Sequence, residues 1–318
     1  MKKPLLTIVL LGLVLIISGC QSEGENEIYK VGMIVEDTAQ NNIWDEKGYQ
    51  GLVQIKEELD VEIYYQDTVK SEQEVIKAVD TMVNKGVNLI FGHSNIYGKY
   101  FINLASYYPE VHFIYFNGDY TANNVTSLNF NSHAMGFFAG MVAGKMTSTN
   151  SVGVIAAHEW QPEVEGFFEG AKFQNNNIVV HINYVNDWND TSVALHMYEV
   201  MQKKNVDVIY PTGDAYSDKI IQRASNDGLY SIGYVSDQSS IDQSKVLTST
   251  VQHVDKLYLF VANLFQAGSL KGDKLTFDFQ EDAISLGTYS DQIPESFISK
   301  LEEDIVTYKE TGLLPNER

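Results

Sequence analysis

One pattern of residues occurs twice in this chain, about 120 residues apart. The string VGMI at Val31–Ile34 returns 121 residues later as VGVI at Val152–Ile155. The string MVNKGVNLIF at Met82–Phe91 returns 119 residues later as MQKKNVDVIY at Met201–Tyr210. Between them, GYQG in the first copy is echoed by GFFEG in the second. Three echoes in one order, at a nearly constant offset, predict two homologous lobes.

Each copy begins with a strand, a polar loop and an amphipathic helix. In the first copy Val31–Val35 is an apolar strand, Glu36–Asn42 is a polar turn, and a helix begins near Trp44. Strands and helices then alternate, which predicts right-handed crossovers and mainly parallel sheets. Ligands of such sheets bind at the carboxyl ends of the strands, beside helix N-termini. We therefore predict an α/β fold of two doubly wound parallel-sheet lobes with a cleft between them.

The elements after Val251 are predicted to return to each lobe in turn, so that the chain crosses between the lobes three times. They are a helix at Val254–Phe265, a strand region at Lys274–Phe279, an apolar segment at Ala283–Leu286 and a helix from about Pro294 to Lys309. The predicted division is a signal peptide at 1–19, a lipidated tether at 20–28, lobe 1 at 29–130 plus about 252–282, and lobe 2 at 131–251 plus about 283–318.

The first residues have the pattern of a secretory leader. Two lysines precede the apolar run Leu5–Ile17, which is too short to span a bilayer, and Ser18-Gly19 leads directly to Cys20. Small residues before a single cysteine resemble the bacterial lipobox, with Ile17 where leucine is commoner. That resemblance implies a lipid on the Cys20 sulfur, which would hold the protein on the outer face of the cell membrane through the polar tether Gln21–Glu27. The alternative is a free cysteine after an ordinary leader.

The charge of the chain argues against nucleic acid as a partner. It has 42 acidic and 22 basic residues, a net charge of -20, and removing the two leader lysines gives 20 − 42, or -22. Such a surface repels phosphate backbones. The sequence also lacks a basic stripe or a helix-turn-helix signal. We therefore expect no direct binding to nucleic acid.

Polar loops follow the predicted strands, and all three tryptophans of the chain fall in them. A large aromatic side chain in a polar loop is not needed for a core, which favours stacking against a flat ligand. The alternative is that each tryptophan packs the surface between the lobes. The predicted ligand-binding residues, from these loops, are Asn41, Trp44, Asp45, Asn117, Trp160, Asp214, Asp237 and Gln252.

Signals of catalysis are weak. The strings GxSxG, HExxH and GxxxxGK[ST] do not occur, and the seven histidines have no metal-ligand spacing. Carboxylate pairs such as Asp187 and Asp190 are common in so acidic a chain. We therefore expect no enzyme activity, catalytic residue, metal or cofactor. A glycosidase or nucleoside hydrolase is the alternative, and turnover of a nucleoside would establish it.

Several strings resemble the basic membrane protein (BMP) family of substrate-binding lipoproteins. They are SLNF at Ser127–Phe130, GFFAG at Gly136–Gly140 and VLTSTV at Val246–Val251, followed by Val254-Asp255. The resemblance implies the type I periplasmic-binding-protein fold and binding of purine nucleosides for ABC transporters. The strings MGFF, WQPEV, IGYVSDQS and VLTSTVQ are similar to a regulatory lipoprotein within that family, one linked to activation of competence genes.

The resemblance implies that only some of the family's nucleoside-binding residues have a match in this chain. Its stacking aromatic residue falls on Trp44, and the polar neighbour, usually Asn, falls on Asp45. An acidic loop residue falls near Asn41, and the Asp after the fourth strand falls on Asn117. The family's ribose-binding Asp falls on Val235, two residues before Asp237, and its Lys falls on Gln252. Since a buried charge-assisted hydrogen bond is worth about 1.5 to 3 kcal/mol, these changes weaken the expectation of a nucleoside.

Two functions therefore remain open from the sequence. The first is an anchored solute-binding lipoprotein that holds a nucleoside-like small molecule in the cleft for an ABC permease. The second is a lipoprotein that positively affects competence-gene expression indirectly, through another membrane protein.

Overall fold

The computed structural model describes residues 27–38 and 43–318, which form two six-stranded sheets flanked by helices. The strands are β1 (Lys30–Ile34), β2 (Glu62–Gln66), β3 (Leu89–Gly92), β4 (His112–Phe116), β5 (Val125–Phe130), β6 (Ser151–Ala156), β7 (Val179–Tyr184), β8 (Val208–Thr212), β9 (Tyr230–Val235), β10 (Val246–Gln252), β11 (Lys274–Phe277) and β12 (Ile284–Leu286). The helices are α1 (Ile43–Leu59), α2 (Glu72–Val83), α3 (Tyr97–Ala105), α4 (Ser132–Met146), α5 (Pro162–Gln174), α6 (Thr191–Gln202), α7 (Ser217–Asn226), α8 (Val254–Gln266) and α9 (Glu295–Thr311), followed by a 3-10 turn at Pro315–Glu317.

The two sheets have matching strand orders, which confirms the duplication predicted from the sequence. The first runs β11-β5-β4-β3-β1-β2 and the second runs β12-β10-β9-β8-β6-β7. The strands pair in parallel except β12, which is antiparallel to β10. β1 and β6 thus occupy equivalent positions, as the two VG strings predict.

The echoed glycines and methionines make the same contact in each lobe. A Cβ added to Gly32 on β1 would lie 2.6 Å from the Sδ of Met82 on α2. The glycine therefore allows α2 to pack closely on the sheet. A Cβ on Gly153 of β6 would collide with the Sδ of Met201 on α6. The repeated strings therefore encode one close strand–helix contact, used twice.

The chain passes between the sheets three times. α4 follows β5 of the first sheet but packs on α5 beside the second, and α8 follows β10 of the second sheet but packs on α1 beside the first. β11 then joins the first sheet and β12 the second. The lobe boundaries drawn from the sequence stay a prediction, and the connections between the sheets lie at about 131, 253 and 278–283.

Glycines bring α4 and α5 into backbone contact. A Cβ on Gly136 or Gly140 of α4 would collide with the carbonyl oxygen of Glu163 or Phe167 on α5. A Cβ on Gly170 of α5 would collide with a carbonyl oxygen of α4 in return. Small residues at this spacing allow two helix backbones to approach closely, which side chains would prevent.

Helices cover both faces of each sheet. Met33 of β1 joins an apolar cluster with α1 and α8, whereas the next residue, Ile34, joins a second cluster with α2 and α3. In the second sheet Val154 of β6 packs toward α4 and α5, and Ile155 packs toward α6 and α7. This alternation follows from the two-residue period of a strand. The first cluster runs through both lobes.

α3 is shorter than the helix that the sequence pattern predicts at 96–108. It ends at Ala105, where the side chain of Asn124 donates from Nδ2 to the carbonyl oxygens of Ala105 (3.2 Å), Tyr108 (3.0 Å) and Val111 (2.8 Å). A side-chain amide from the loop between β4 and β5 thus satisfies carbonyl oxygens at and just after the end of this helix.

The predicted leader and lipidation residue, Cys20, lie outside the described residues. Among the helices of residues 27–38 and 43–318, none has the length and apolar character needed to cross a bilayer.

Candidate ligand-binding cavity

A cavity of about 310 Å³ lies between the lobes, at the carboxyl ends of both sheets. Its lining includes residues from the segments that follow β1, β3 and β4 in one lobe and β6, β7 and β8 in the other. Six of the predicted ligand-binding residues line it, namely Trp44, Asp45, Asn117, Trp160, Asp214 and Gln252. The edge of each sheet predicted from strand order is therefore the edge at which the cavity lies.

One predicted residue within the described part of the chain does not line the cavity. Asp237, which the sequence analysis predicts as a ligand-binding residue, is not among the lining residues. Its Oδ2 instead accepts hydrogen bonds from the amide (3.0 Å) and the hydroxyl (2.6 Å) of Thr288, so the carboxylate joins the loop after β9 to the segment after β12. These hydrogen bonds hold its pKa below the usual value although burial opposes them. Asn41 lies outside the described residues.

Trp44, at the start of α1, is held by the buried side chain of His93. The indole Nε1 donates to the carbonyl oxygen of His93 (3.0 Å), and the two rings stack with centroids 4.7 Å apart at 15°. The imidazole Nε2 lies 2.8 Å from the Trp44 carbonyl oxygen, and Nδ1 lies 2.9 Å from the Tyr258 hydroxyl. Since a carbonyl only accepts, Nε2 carries the proton and Nδ1 accepts from Tyr258. The array fixes the indole before a ligand arrives.

A glycine makes room for that array. Gly48, on the first helix, is so close to His93 that a Cβ there would lie 2.6 Å from the imidazole Cε1. His93 was not predicted as a site residue, although it belongs to a polar loop at a strand end. Its contact with Trp44 joins residues 49 positions apart, and helix and strand periodicity carry no information about such a pair.

The neutral state of His93 gives a prediction for acid stability. Burial lowers its pKa from 6.5 to about 3, so below pH 6.5 the unfolded chain binds a proton that the folded chain does not. This contribution to stability is present above pH 6.5 and is lost as the pH falls toward 3. We expect the free energy of unfolding of His93→Gln to depend less on pH between 6.5 and 4, by at most about 1.4 kcal/mol per pH unit.

Denaturant titrations at several pH values measure that slope. The control is His196→Gln, which removes an exposed histidine and should leave the slope unchanged. Equal slopes in the wild type and in His93→Gln would show that His93 is not held neutral by the fold.

The second lobe contributes a cluster of three aromatic rings. Trp160 stacks on His158 with centroids 5.2 Å apart at 9°, and Trp188 meets both rings edge-on at 5.1 and 5.7 Å. The Trp160 side chain is 56% exposed although it lines the cavity. Backbone amides of Asp214 and Ala215 bond the carbonyl of Trp188 (3.0 and 3.3 Å), which ties the loops after β7 and β8 together.

Glu163 is a buried carboxyl group at the base of the second lobe's wall. Its Oε1 accepts from Gln161 Nε2 (2.8 Å) and from the Tyr234 hydroxyl (3.1 Å). Burial raises the pKa of Glu163, and these hydrogen bonds oppose that rise. Gln161 also donates to the carbonyl of Thr212 (3.0 Å), which links β6, α5 and β8. Glu163 and Tyr234 were not predicted from the sequence, where they stand 71 residues apart.

The cavity is acidic. Burial first, and then the charges of Asp45, Glu163 and Glu36, raise the pKa of Asp214 from 3.8 to about 8. The lysine in the described lining, Lys70, lies 3.3 Å from a carboxylate oxygen of Asp37. The cavity thus combines aromatic faces and carboxylates from both lobes. This arrangement is suited to holding a small molecule.

Comparison with known proteins gives consistent matches along almost the whole chain. A family profile named Bmp and described as "ABC transporter substrate-binding protein PnrA-like" matches residues 28–317. The chain is 41% identical over 309 residues to the transcriptional activator protein med of Bacillus subtilis, covering 97% of this chain and 98% of that protein. It is 24% identical over 257 residues to a purine-binding protein of Brucella abortus, covering 80% of this chain and 72% of that protein.

Solved structures match in the same way. A transcriptional activator of the comK gene from Bacillus halodurans has a TM-score of 0.85 at 44% identity, covering 90% of this chain and 99% of that one. An ABC transporter solute-binding protein from Aeropyrum pernix has a TM-score of 0.71 at 18% identity, covering 90% and 81%. Together with the two parallel-sheet lobes, these matches establish the type I periplasmic-binding-protein fold.

Proposed function

Because the chain belongs to the Bmp family of PnrA-like ABC transporter substrate-binding proteins, we propose that it is an extracytoplasmic receptor that closes its two lobes on one small molecule. The observation that carries this proposal is the cavity, which has a tryptophan wall from each lobe: Trp44 on one side, and Trp160 with Trp188 on the other. Closure would bring the two walls onto a single flat solute. Its role is binding and delivery, without chemical change of the solute.

The proposed place of action is the outer face of the cell membrane. The leader and the small residues before Cys20 support a lipid on that sulfur, with residues 21–28 as the tether to the folded lobes. Incorporation of labelled palmitate into the wild-type chain, and its loss in Cys20→Ala, tests the anchor. Equal labelling of both chains contradicts it.

The proposed partner is a membrane permease that takes the solute from the closed lobes. A nucleoside-like solute is supported by the similarity to a purine-binding protein and by the stacking faces. The position of the family's ribose-binding carboxylate is taken here by Val235, which is buried and offers no acceptor beyond its backbone. A nucleoside would therefore need other acceptors in this cavity, such as Asp214 or Asn117.

A melting experiment with candidate solutes tests the proposed function. Purine and pyrimidine nucleosides, free bases, simple sugars and small amines are added to the purified protein. A solute at a hundredfold excess over its dissociation constant stabilises the folded chain by about 2.7 kcal/mol, a rise of about 5 °C in Tm. Small-angle scattering with the same solute should show a smaller radius of gyration. If no solute in the panel gives a saturable shift or a closure, the binding function is wrong.

A second candidate function is supported by the similarity to two transcriptional activators, at 41% and 44% identity. A lipid-anchored chain with a net charge of -20 is unsuited to contact a promoter, so its effect on competence genes would pass through a membrane partner. Deletion of the gene separates the two functions. A transporter receptor should lose uptake of its labelled solute, whereas a regulator should lose competence-gene expression with uptake unchanged.

A further inference from the structure

We propose that the solute of this cavity is an organic cation, in which an ammonium group is joined to a flat ring. The inference rests on the proposed function, because it names the class of solute for the same cavity. It comes from the charges that line the cavity and from the state of the histidines behind its aromatic walls.

Among the cavity-lining residues that the structure describes, acidic side chains outnumber basic ones. Acidic side chains come from both lobes, and they are Glu36, Asp37, Asp45, Glu163 and Asp214. Against them stands Lys70, whose Nζ is 3.3 Å from Asp37 and is thus already offset. In the sequence, positions 39–42 are Ala-Gln-Asn-Asn, none of which has a charged side chain. An anionic solute would meet repulsion from several sides.

These carboxylates also act on one another. Glu36 follows β1, Asp45 is on α1 and Glu163 is on α5, and the negative charge of all three raises the pKa of Asp214 on the loop after β8. Burial makes the larger contribution to that rise. A cation placed among these groups would favour the ionised form of Asp214 and remove the repulsion. Near neutral pH a proton on Asp214 relieves this repulsion in the free protein, and a cationic solute can replace that proton whereas a neutral solute cannot.

The aromatic walls suit the same class of solute. Trp44 has the imidazole of His93 against one face, and Trp160 has that of His158 against one face, so the opposite faces are those that a solute can contact. Burial lowers the pKa of both histidines, which keeps the imidazoles uncharged near neutral pH. Uncharged backing rings leave the indole faces available for cation–π contact and stacking, without a competing positive charge.

A pair of isosteric probes tests the charge requirement directly. Tryptamine and tryptophol share the indole ring and the two-carbon chain, and they differ in carrying an ammonium or a hydroxyl group. We expect the purified full chain to bind tryptamine at least about tenfold more tightly than tryptophol, as one charge-assisted hydrogen bond in a partly buried site would give. The preference should fall to about threefold or less in Asp214→Asn.

A control variant separates the effect of the site from that of the overall charge. Glu110→Gln removes an exposed acid remote in sequence from the cavity and should keep the full preference for tryptamine.

At pH 7, where Asp214 is largely protonated in the free protein, tryptamine binding should release protons, so its calorimetric enthalpy should depend on the ionisation enthalpy of the buffer.

The outcomes distinguish this inference from the proposed function. If adenosine or another neutral solute of the melting panel binds, and tryptamine does not surpass tryptophol, the cation assignment is wrong and the receptor function stands. If the preference for tryptamine survives unchanged in Asp214→Asn, the cavity carboxylates are not its cause and the assignment is again wrong. If neither probe nor any solute of the panel binds, both proposals are wrong.

Discussion

Replacing Gly140 with alanine is expected to destabilise the protein by about 3 kcal/mol or more. Helix propensity alone predicts the opposite, a gain of about 1 kcal/mol for alanine over glycine inside a helix. Packing decides the sign, because the added Cβ would collide with the carbonyl oxygen of Phe167 and lie 2.8 Å from the backbone nitrogen of Ala171. Neither atom belongs to a flexible side chain, so α4 and α5 would have to move apart along their length.

Urea unfolding of the wild type, Gly140→Ala and two controls measures this effect. Gly144→Ala, near the end of α4, has looser contacts and should cost less: its Cβ would lie 2.8 Å from the carbonyl oxygen of Ala171, 3.0 Å from the Cβ of Gln174 and 3.3 Å from the Cα of Ala171. Gly228→Ala meets no atom within 4 Å and bears only the strain of φ +79°, about 1 kcal/mol. An ordering in which Gly140→Ala is the mildest of the three would show that the helices are not in backbone contact.

Replacing Trp44 with alanine is expected to weaken binding of the cavity's solute by about 1 to 3 kcal/mol, with base–aromatic stacking as the guide. The variant removes the first lobe's aromatic wall. It also leaves the carbonyl oxygen of His93 without the indole donor at 3.0 Å and removes a stacked neighbour from the imidazole. A lower Tm without solute is therefore expected as well, because a half-buried indole is lost from between His93, Phe116 and Phe130.

The variant Trp44→Phe separates these two roles of the indole. It keeps an aromatic face but has no N–H to donate, so it should recover most of the affinity and only part of the stability. Calorimetric titration with the solute that gives the largest melting shift, and melting without solute, measure the two effects. Unchanged affinity in Trp44→Ala would assign the indole to packing between the lobes.

The fold was predictable because its signals are local. Alternation of residues such as Met33 and Ile34, with one on each face of β1, is encoded in consecutive positions, and the duplicated strings carry the same glycine–methionine contact in both lobes. The end of α3 was not predictable in this way. It depends on Asn124, which reaches back across 19 residues to bond Ala105.

The cavity was predictable as a place, and less so as a set of side chains. Trp44 and Asp214 were found because strand order puts them at the carboxyl ends of the sheets. Asp237 follows β9 at the same edge of the sheet. The antiparallel strand β12 brings Thr288 next to it, and the carboxylate of Asp237 accepts a hydrogen bond from the Thr288 hydroxyl. His93 and Glu163, which support the walls, were missed because Trp44 and Tyr234, to which they bond, lie 49 and 71 residues away in the sequence.

The pairing of β11 with β5 sets the order in which the molecule can be completed. Lys274 lies opposite Ser127, a separation of 274 − 127, or 147 residues, and the whole second sheet except β12 is encoded between them. A chain made from its N-terminus therefore exposes the edge of β5 until most of the second lobe has been synthesised. Closing so long a loop is entropically costly and slow compared with local pairing. The half made first stays unfinished until most of the other half has been made, so neither lobe can be completed well before the other.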